Sequence, residues 1–328
     1  MQAKGGILLS GASGMLGSAL HRAFSACQMP AIQLARSSAS RSAAAVPRPS
    51  SLSAVRSAAL SLSREVSWNP SATPAVTHPE LLEGLAAAIH LSGAGVAAHR
   101  WTPSYKRILV SSRVDTTRAL ATTLAGLRHP PAALFVASAT GIYGDRGDEL
   151  LDESSAAGSG FLADLCREWE AAAQPAVDAG IRVIHLRFGV VLAPHSSPGA
   201  LARMIPLFRI GLGGPLGSGR QWVSWISLPD VVSAVLFLLD HPSISGPVNL
   251  TAPTPVTNAQ FSRAVARQLR RPAFLPTPPY LLRIALGEIA DGALLASARA
   301  FPSKLNAAGF SFSHPTIDIA LAAVLARS

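Results

Sequence analysis

Cysteine is scarce in this sequence, which contains only Cys27 and Cys166 among 328 residues. Two cysteines cannot build the dense disulfide framework of a small secreted scaffold. Both occur at apolar positions of helical patterns, so we expect them to pack in the core. We expect no cleaved signal before the first predicted strand, and we expect a reducing compartment, the cytoplasm, with an organelle as the open alternative.

Charged residues are also few, at 14% of the sequence against 49% hydrophobic residues. This composition excludes a disordered chain. No apolar stretch reaches the roughly 18 to 20 residues that a membrane helix needs. A chain of this length buries a full core, either as one large domain or as two modest ones. We therefore expect a globular protein without a membrane partner.

Lysine is nearly absent, because 25 of the 28 basic residues are arginine. The arginines are scattered along the chain rather than clustered with aromatic residues, which is atypical of a nucleic-acid interface. The sequence therefore predicts no nucleic-acid partner. The formal net charge of +10 still favours anionic ligands in general.

A run of spaced glycines lies close to the start of the chain. Ile7–Ser10 is a short apolar segment that predicts a buried strand, and Gly11, Gly14 and Gly17 follow it. The first glycine permits a tight turn, the second lets a phosphate approach the backbone, and the third lets a helix pack on the sheet. The next segment has the apolar spacing of a helix whose N-terminus would face the anion. We predict a dinucleotide-binding turn.

Short apolar segments alternate with helical patterns through the first 240 residues, which predicts an α/β fold with a doubly wound parallel Rossmann sheet. A Ser/Ala/Arg/Pro-rich stretch at 37–64 is expected to be a low-complexity surface insertion. The further predicted strands are Ala31–Leu34, Ala88–Leu91, Ala133–Ala137 and Val183–Leu186.

Three helix starts carry capping signals. Thr102-Pro103 predicts a long helix to about Leu127, Ser227 precedes a helix at 231–239, and Thr257 with Gln260 forms a capping box. Proline becomes frequent after about residue 243. We therefore predict a Rossmann domain over 1–242, with a flap or substrate segment at 195–225, and a smaller mixed C-terminal substrate lobe over 243–328.

The end of the second predicted strand carries arginine where many dinucleotide folds carry an acid. Arg36 follows Gly17 at the spacing expected for the residue that meets the adenosine ribose, and no Asp or Glu occurs between Gly17 and Arg64. An arginine there suits a 2′-phosphate. We predict NADP(H) as the cofactor; a merely solvated Arg36 is the alternative.

Two later strand ends carry candidate site residues. His90 lies within a strand and is expected to be a core histidine, while the small residues Ser92 and Gly93 follow where a cofactor would cross the sheet edge. Ser138 lies at the carboxyl end of a central strand, where open α/β sheets bind ligands, and Tyr143 follows on the same loop.

Taken together, these segments resemble the extended short-chain dehydrogenase/reductase superfamily. The similarity is closest to its atypical branch, the epimerase-like family with a C-terminal domain of uncharacterised function. Nearly the whole chain takes part, apart from residues 37–64. The resemblance implies an NADP-binding Rossmann domain, a small-molecule substrate and a homodimer. The further matching segments are Arg100-Trp101, Phe161–Ala163, Gly211–Gly219 and Leu286–Glu288.

The resemblance also implies which positions contact the cofactor. Arg113 stands where most extended relatives place an asparagine, and its guanidinium could pair with phosphate or ribose; an exposed helix arginine is the alternative. The other cofactor positions, including those of the glycine turn, are Gly11, Ser13, Gly14, Met15, Leu16, Gly17, Ala35, Arg36, Leu91, Ser92, Gly93 and Val191.

The sequence departs from the superfamily in lacking the Tyr-x-x-x-Lys pair that makes the phenol a usable acid or base. Ser138 matches the catalytic hydroxyl, and Tyr143 is the nearest candidate acid. Ionising an unassisted phenol at neutral pH costs about 4 kcal/mol, so Tyr143 would donate a proton more readily than accept one. We therefore predict NADPH-dependent reduction or epimerisation of a small carbonyl or sugar-like substrate.

Several alternatives stay open. Tyr143 could be a structural loop residue, and the chain could be a catalytically silent NADPH-binding sensor that acts through a protein partner. Other polar residues could contact a substrate, although each is more often a solvated loop residue: Asp145, Asp152, Glu153, Arg220 and Gln221.

Overall fold

The computed structural model describes residues 5–36, 63–194, 197, 199–273 and 275–326. Its strands are β1 (Ile7–Ser10), β2 (Ala31–Arg36), β3 (Ser63–Trp68), β4 (Ala87–His90), β5 (Ala133–Ala139), β6 (Leu150–Leu151), β7 (Arg182–Phe188), β8 (Val190–Leu192), β9 (Trp222–Val223), β10 (Trp225–Ser227), β11 (Gly246–Leu250), β12 (Val256–Thr257) and β13 (Arg299–Ala300). Its α-helices are α1 (Met15–Ala26), α2 (Pro103–Ser111), α3 (Val114–Ala125), α4 (Phe161–Ala171), α5 (Gln174–Asp178), α6 (Ala200–Arg209), α7 (Leu228–Asp240), α8 (Asn258–Leu269), α9 (Pro279–Leu286), α10 (Ser303–Ala307) and α11 (Ile317–Leu325).

A seven-stranded parallel sheet has the order β11-β7-β5-β4-β1-β2-β3, which confirms the predicted α/β doubly wound architecture. Strands β1 and β4 are neighbours, and the direction of strand order reverses between them. Ligands of open α/β sheets bind outside the carboxyl ends of strands at such a switch point. Strands β1 and β4 are fully buried, as expected for strands covered on both faces.

The chain divides into two compact units, each assembled from several segments. Unit 1 comprises Met1–Gly93, Ser111–Ala137 and Ala171–Ile184, and unit 2 comprises Ala94–Val110, Ser138–Glu170 and His185–Ser328. Strand β11 belongs to the central sheet although it follows residue 242, where the sequence analysis drew its domain boundary. Within the described ranges, no helix is both long and apolar enough to cross a membrane.

The edge of the sheet differs from the prediction. Residues 63 and 64, assigned to the surface insertion, begin β3, which pairs with β2 from Ala31 and Ser63 to Arg36 and Trp68. The insertion prediction for 37–62 lies outside the described residues. Cys27 was expected in the core but is exposed just beyond α1, whereas Cys166 is buried as predicted.

The helix predicted from Thr102 to about Leu127 is two helices, α2 and α3, separated by residues 112 and 113. The Thr102 hydroxyl accepts from the Tyr105 amide at 3.2 Å, as its capping position predicts. The cap at Ser227 and the capping box at Thr257 are also confirmed.

The glycine-rich run at 211–219, predicted as a flap, packs within unit 2. A Cβ on Gly213 would overlap the Phe208 ring, and one on Gly214 would overlap the Leu275 carbonyl oxygen. The Ser262 hydroxyl also donates to the Gly214 carbonyl at 3.1 Å. These positions require glycine because neighbouring groups occupy the side-chain space.

Candidate functional site

The glycine turn after β1 leaves no room for side chains on the side that meets β4. Gly11 has a φ of +71°, and a Cβ there would lie 2.8 Å from the Leu91 carbonyl carbon. A Cβ on Gly17 would overlap the Gly11 carbonyl oxygen. The backbone of this turn can therefore approach a bulky anion closely, as a dinucleotide site requires.

Helix α1 begins beside this turn with its amide groups uncovered. Gly14 is its N-cap residue, no side chain caps it, and its first turn contains no acid. The positive end of the helix dipole is thus neither screened nor neutralised locally, which suits a diphosphate. Ser13, Met15 and Leu16 lie at this helix start, as their predicted cofactor contacts need.

Ala35 and Arg36 form the end of β2, and Arg36 is exposed. Arg36 pairs in register with Trp68, the last residue of β3. Its positive charge also contributes to lowering the pKa of His90, so the cation acts at this edge of unit 1. The arrangement fits a 2′-phosphate, and β2 itself contains no carboxylate for a free ribose hydroxyl.

A buried chain of hydrogen bonds joins Ser92 to the interior. The Ser92 hydroxyl donates to the Ser10 hydroxyl at 3.2 Å, and the Ser10 hydroxyl lies 2.6 Å from His90 Nδ1. Thr116 Oγ1 lies 3.1 Å from His90 Nε2 and donates its own hydrogen to the Ser112 carbonyl. His90 therefore accepts at Nδ1 and donates at Nε2, so the imidazole is neutral and carries its hydrogen on Nε2.

Burial, with a smaller effect from Arg36, lowers the pKa of His90 to about 3. The side chain is fully buried, and the expectation of a core histidine is confirmed.

Arg113 lies at the break between α2 and α3 and is buried, which excludes the exposed-arginine alternative. A Cβ on Gly93 would lie 3.3 Å from the Arg113 Cζ atom. The guanidinium therefore covers the Gly93 backbone directly after β4. A cation held there, at the switch point, fits a phosphate or ribose partner.

Val191 lies in unit 2 on strand β8, whose parallel partner is β10. It pairs in register with Ile226. Its backbone is fixed by this small two-stranded sheet.

Ser138 is buried and belongs to a charged network of unit 2. Its hydroxyl donates to Glu170 Oε1 at 2.7 Å, and Glu170 forms a two-pronged ion pair with Arg187 at 2.9 and 3.0 Å. Burial alone would raise the pKa of Glu170, but the hydrogen bonds and charge of Arg187 bring it below its ordinary value. The carboxylate is thus ionised, and the Ser138 hydrogen points to it.

Tyr143 is fully buried, and its hydroxyl is surrounded by polar partners. The oxygen lies 2.8 Å from the Asp152 carbonyl, 2.7 Å from Asn249 Oδ1 and 3.1 Å from Arg187 Nη1. Burial raises the pKa of the phenol, and this outweighs the opposing effect of Arg187. The hydroxyl therefore stays neutral and is engaged with the protein.

The remaining predicted polar residues serve mostly in loop structure. Asp152 caps the turn at Ser154 and Ser155, and these hydrogen bonds lower its pKa. Glu153 is buried and accepts from the Asn249 amide at 3.0 Å, and burial raises its pKa. Arg220 is exposed.

A cavity of about 630 Å³ lies within unit 2 and has the size of a small-molecule site. Its wall includes a π-helical segment at 290–295, and a Cβ on Gly292 in that segment would lie 2.7 Å from the Trp101 ring. The aromatic, hydroxyl and carboxylate residues on its wall include Trp101, Thr140, Asp145, Phe161, Phe188, Trp222, Ser224, Glu288 and Asp291.

Neither Ser138 nor Tyr143 is among the described residues that line this cavity. Strand β5 ends at Ala139, and a 3₁₀ helix begins at Thr140, which does line it. The sequence analysis selected Ser138 because it lies near the strand end, and no sequence signal distinguishes Thr140 from it. Trp222 and Ser224 fall inside the predicted substrate segment 195–225.

Comparisons with known proteins agree with this architecture. A model of the NAD dependent epimerase/dehydratase family matches residues 7–250, and a domain of unknown function (DUF1731) matches residues 277–324. An epimerase family protein of Mycobacterium tuberculosis is 42% identical over 315 residues, which is 96% of each chain.

Two solved structures are similar in fold and sequence. The human epimerase family protein SDR39U1 (isoform 2) with NADPH gives a TM-score of 0.82 at 27% identity, over 98% of this chain and 99% of that one. The nucleoside-diphosphate sugar epimerase from Corynebacterium glutamicum gives 0.73 at 30% identity, over 99% of this chain and 59% of that one. The chain described here therefore belongs to the NAD dependent epimerase/dehydratase family.

Proposed function

We propose that this protein binds NADPH through unit 1 and reduces a small carbonyl compound that binds in the cavity of unit 2. The observation that carries the proposal is the crowded glycine turn at Gly11 and Gly17 beside the uncapped start of α1. The human relative SDR39U1, solved with NADPH, supports the same cofactor. When bound, NADPH supplies the hydride.

The preference for NADPH over NADH rests on Arg36. A guanidinium at the end of β2 attracts a 2′-phosphate, and the first turn of α1 contains no carboxylate to repel it. Arg113, held against Gly93, is the second cation of unit 1 proposed to contact the nucleotide.

The catalytic roles of Ser138 and Tyr143 stay predictions, and their contacts favour supporting roles. The Ser138 hydrogen is committed to Glu170, and the Tyr143 hydroxyl is committed to Asn249 and Asp152. Each hydroxyl also contacts one partner of the ion pair of Glu170 and Arg187.

The proposal is tested first by titration calorimetry of the full chain with NADPH and NADH. We expect heat of binding with NADPH and weaker binding of NADH. The oxidation of NADPH is then measured with each member of a panel of aldehydes and ketones. Absence of binding by either nucleotide to the folded protein would refute the proposal.

A second candidate, the catalytically silent NADPH sensor, is favoured by one observation. None of the described residues that line the cavity is Tyr or Lys, so the wall lacks the Tyr and Lys side chains that serve as acid and base in the superfamily. Tight NADPH binding without turnover of any carbonyl compound would support this sensor. The predicted homodimer and cytoplasmic location are further proposals, tested by sedimentation and by cell fractionation.

A further inference from the structure

The cavity of unit 2 has aromatic walls. Trp101 and Phe161 pack edge to face with 5.2 Å between ring centroids, and the Trp101 indole is fixed by a 2.9 Å hydrogen bond to the Val96 carbonyl. Phe188 and Trp222 add two further rings. Rings of this kind bind the flat apolar body of a ligand.

The charged groups of the wall carry a single sign. Of the described residues that line the cavity, none is Lys, Arg or His, whereas Asp145, Glu288 and Asp291 are carboxylates. All three are exposed. An anionic ligand would lose water here without gaining a cationic partner from the wall, which is unfavourable.

Two cations beside the wall are paired with two of these carboxylates, and a third, Arg299, stacks with its guanidinium carbon 4.3 Å from the centroid of the Trp222 ring. Lys106 Nζ lies 2.6 Å from Glu288 Oε2, and Arg283 Nη2 lies 2.9 Å from Asp291 Oδ1. Asp145 instead accepts from the Ser297 amide at 3.1 Å. None of these three cations is among the described residues of the wall.

Thr140 supplies a hydroxyl that the described part of the protein does not use. Its side chain makes no hydrogen bond with any described residue. Ser224, by contrast, donates to the Ala298 carbonyl at 2.7 Å and accepts from the Ala300 amide at 2.8 Å. Thr140 can therefore donate to a carbonyl oxygen of a ligand.

We propose that the substrate is an uncharged carbonyl compound with an aromatic body, rather than a nucleoside diphosphate sugar or another anion. This inference rests on the proposed function for the reaction: the carbonyl carbon accepts a hydride from NADPH and the oxygen accepts a proton from water. The products are the alcohol, NADP⁺ and the hydroxide left by the water. The rings of Trp101 and Trp222 hold the body, and Thr140 binds the oxygen.

The inference is tested by calorimetry with three probes and no cofactor. The probes are 2-acetylnaphthalene, its matched carboxylate 6-acetyl-2-naphthoate, and UDP-glucose. We expect the neutral ketone to bind at least roughly tenfold more tightly than the carboxylate, and UDP-glucose to bind most weakly. Equal or tighter binding of either anion, or no binding of the ketone, would overturn the inference.

Variants assign the selectivity to the named residues. Thr140→Val should weaken ketone binding roughly 2- to 10-fold, while Thr140→Ser should retain it. Asp145→Asn should reduce the ratio of the carboxylate dissociation constant to the ketone dissociation constant about threefold, because one exposed negative charge is removed. Asp240→Asn, an exposed change outside the cavity wall, should leave the ratio as it is.

Because these titrations need no nucleotide, their outcome is separate from that of the NADPH titration. Ketone selectivity without NADPH binding would refute the proposed function and leave the cavity assignment standing. NADPH binding with preference for the carboxylate or UDP-glucose would refute only the substrate class.

Discussion

Arg187 holds both carboxylate oxygens of Glu170, with Nε 2.9 Å from Oε1 and Nη2 3.0 Å from Oε2. Its third nitrogen, Nη1, reaches the Tyr143 hydroxyl at 3.1 Å. The side chains of the pair are only 9% and 13% exposed, so the charges depend on each other rather than on water. One residue of β7 thus fixes the network that contains both predicted catalytic hydroxyls.

Removing this arginine should destabilise the protein. Arg187→Met leaves the Glu170 carboxylate buried without its cation, and we expect the free energy of unfolding to fall by about 3–5 kcal/mol. Chemical denaturation measures the change. Adding Glu170→Gln to Arg187→Met should recover part of the loss, because no buried charge is then left unpaired. Additive losses would contradict the coupling.

His90 should make stability depend on pH. Its folded pKa of about 3 lies below the ordinary 6.5, so the unfolded chain binds the proton first as pH falls. Above pH 6.5 the imidazole is neutral in both states and does not lower the free energy of unfolding. Between pH 6.5 and pH 3 the free energy of unfolding should fall by roughly 1.4 kcal/mol per pH unit, because only the unfolded chain is protonated. Denaturation of His90→Asn across this range should give a flatter profile.

The control for that comparison is His129→Asn, a change at an exposed histidine. It should keep the pH profile of the unaltered protein. Parallel profiles for His90→Asn and the unaltered chain would show that the buried histidine is not the source.

Arg36→Glu should remove the preference for NADPH. A carboxylate there repels the 2′-phosphate and accepts from a free 2′-hydroxyl. We expect NADPH to raise the melting temperature of the unaltered protein more than NADH does, and the variant to lose or reverse this difference. Arg22→Glu, an exposed change on α1, should retain it. Equal responses of the unaltered protein to both nucleotides would contradict the role of Arg36.

Tyr143→Phe should lower the free energy of unfolding by about 1–3 kcal/mol, because it leaves Asn249 and Arg187 with unsatisfied groups. Thermal and chemical denaturation measure the loss. A variant with unchanged stability and a much slower carbonyl reduction would instead support the hypothesis that Tyr143 is the proton donor.

Much of the sheet could be predicted because its inner strands are short apolar runs, such as β1 and β5. Strand β3 was missed because SREVSW contains alternating polar residues and lies next to a low-complexity stretch. The break at residues 112 and 113 was also missed, since it contains neither proline nor glycine. Arg113 at this break is buried, which local sequence does not reveal.

The glycine turn after β1 was predictable because its glycines follow a local rule of backbone geometry. The cavity of unit 2 was not, because its wall combines residues distant in sequence, such as Trp101, Phe161 and Gly292. Thr140, the hydroxyl on that wall, was not selected from the sequence for a similar reason. Ser138 and Thr140 look equivalent in sequence, and only the end of β5 at Ala139 separates a residue bonded to Glu170 from one that meets the cavity.

The neutral imidazole of His90 has a consequence for recognition at the sheet edge. Since Nδ1 can only accept, Ser10 must give its hydrogen inward, and Ser92 in turn gives its hydrogen to Ser10. The Ser92 hydroxyl can therefore only accept a hydrogen bond from an incoming molecule. Any sugar hydroxyl that meets Ser92 must arrive as the donor, so the orientation of that contact is decided by a ring two residues earlier in the chain.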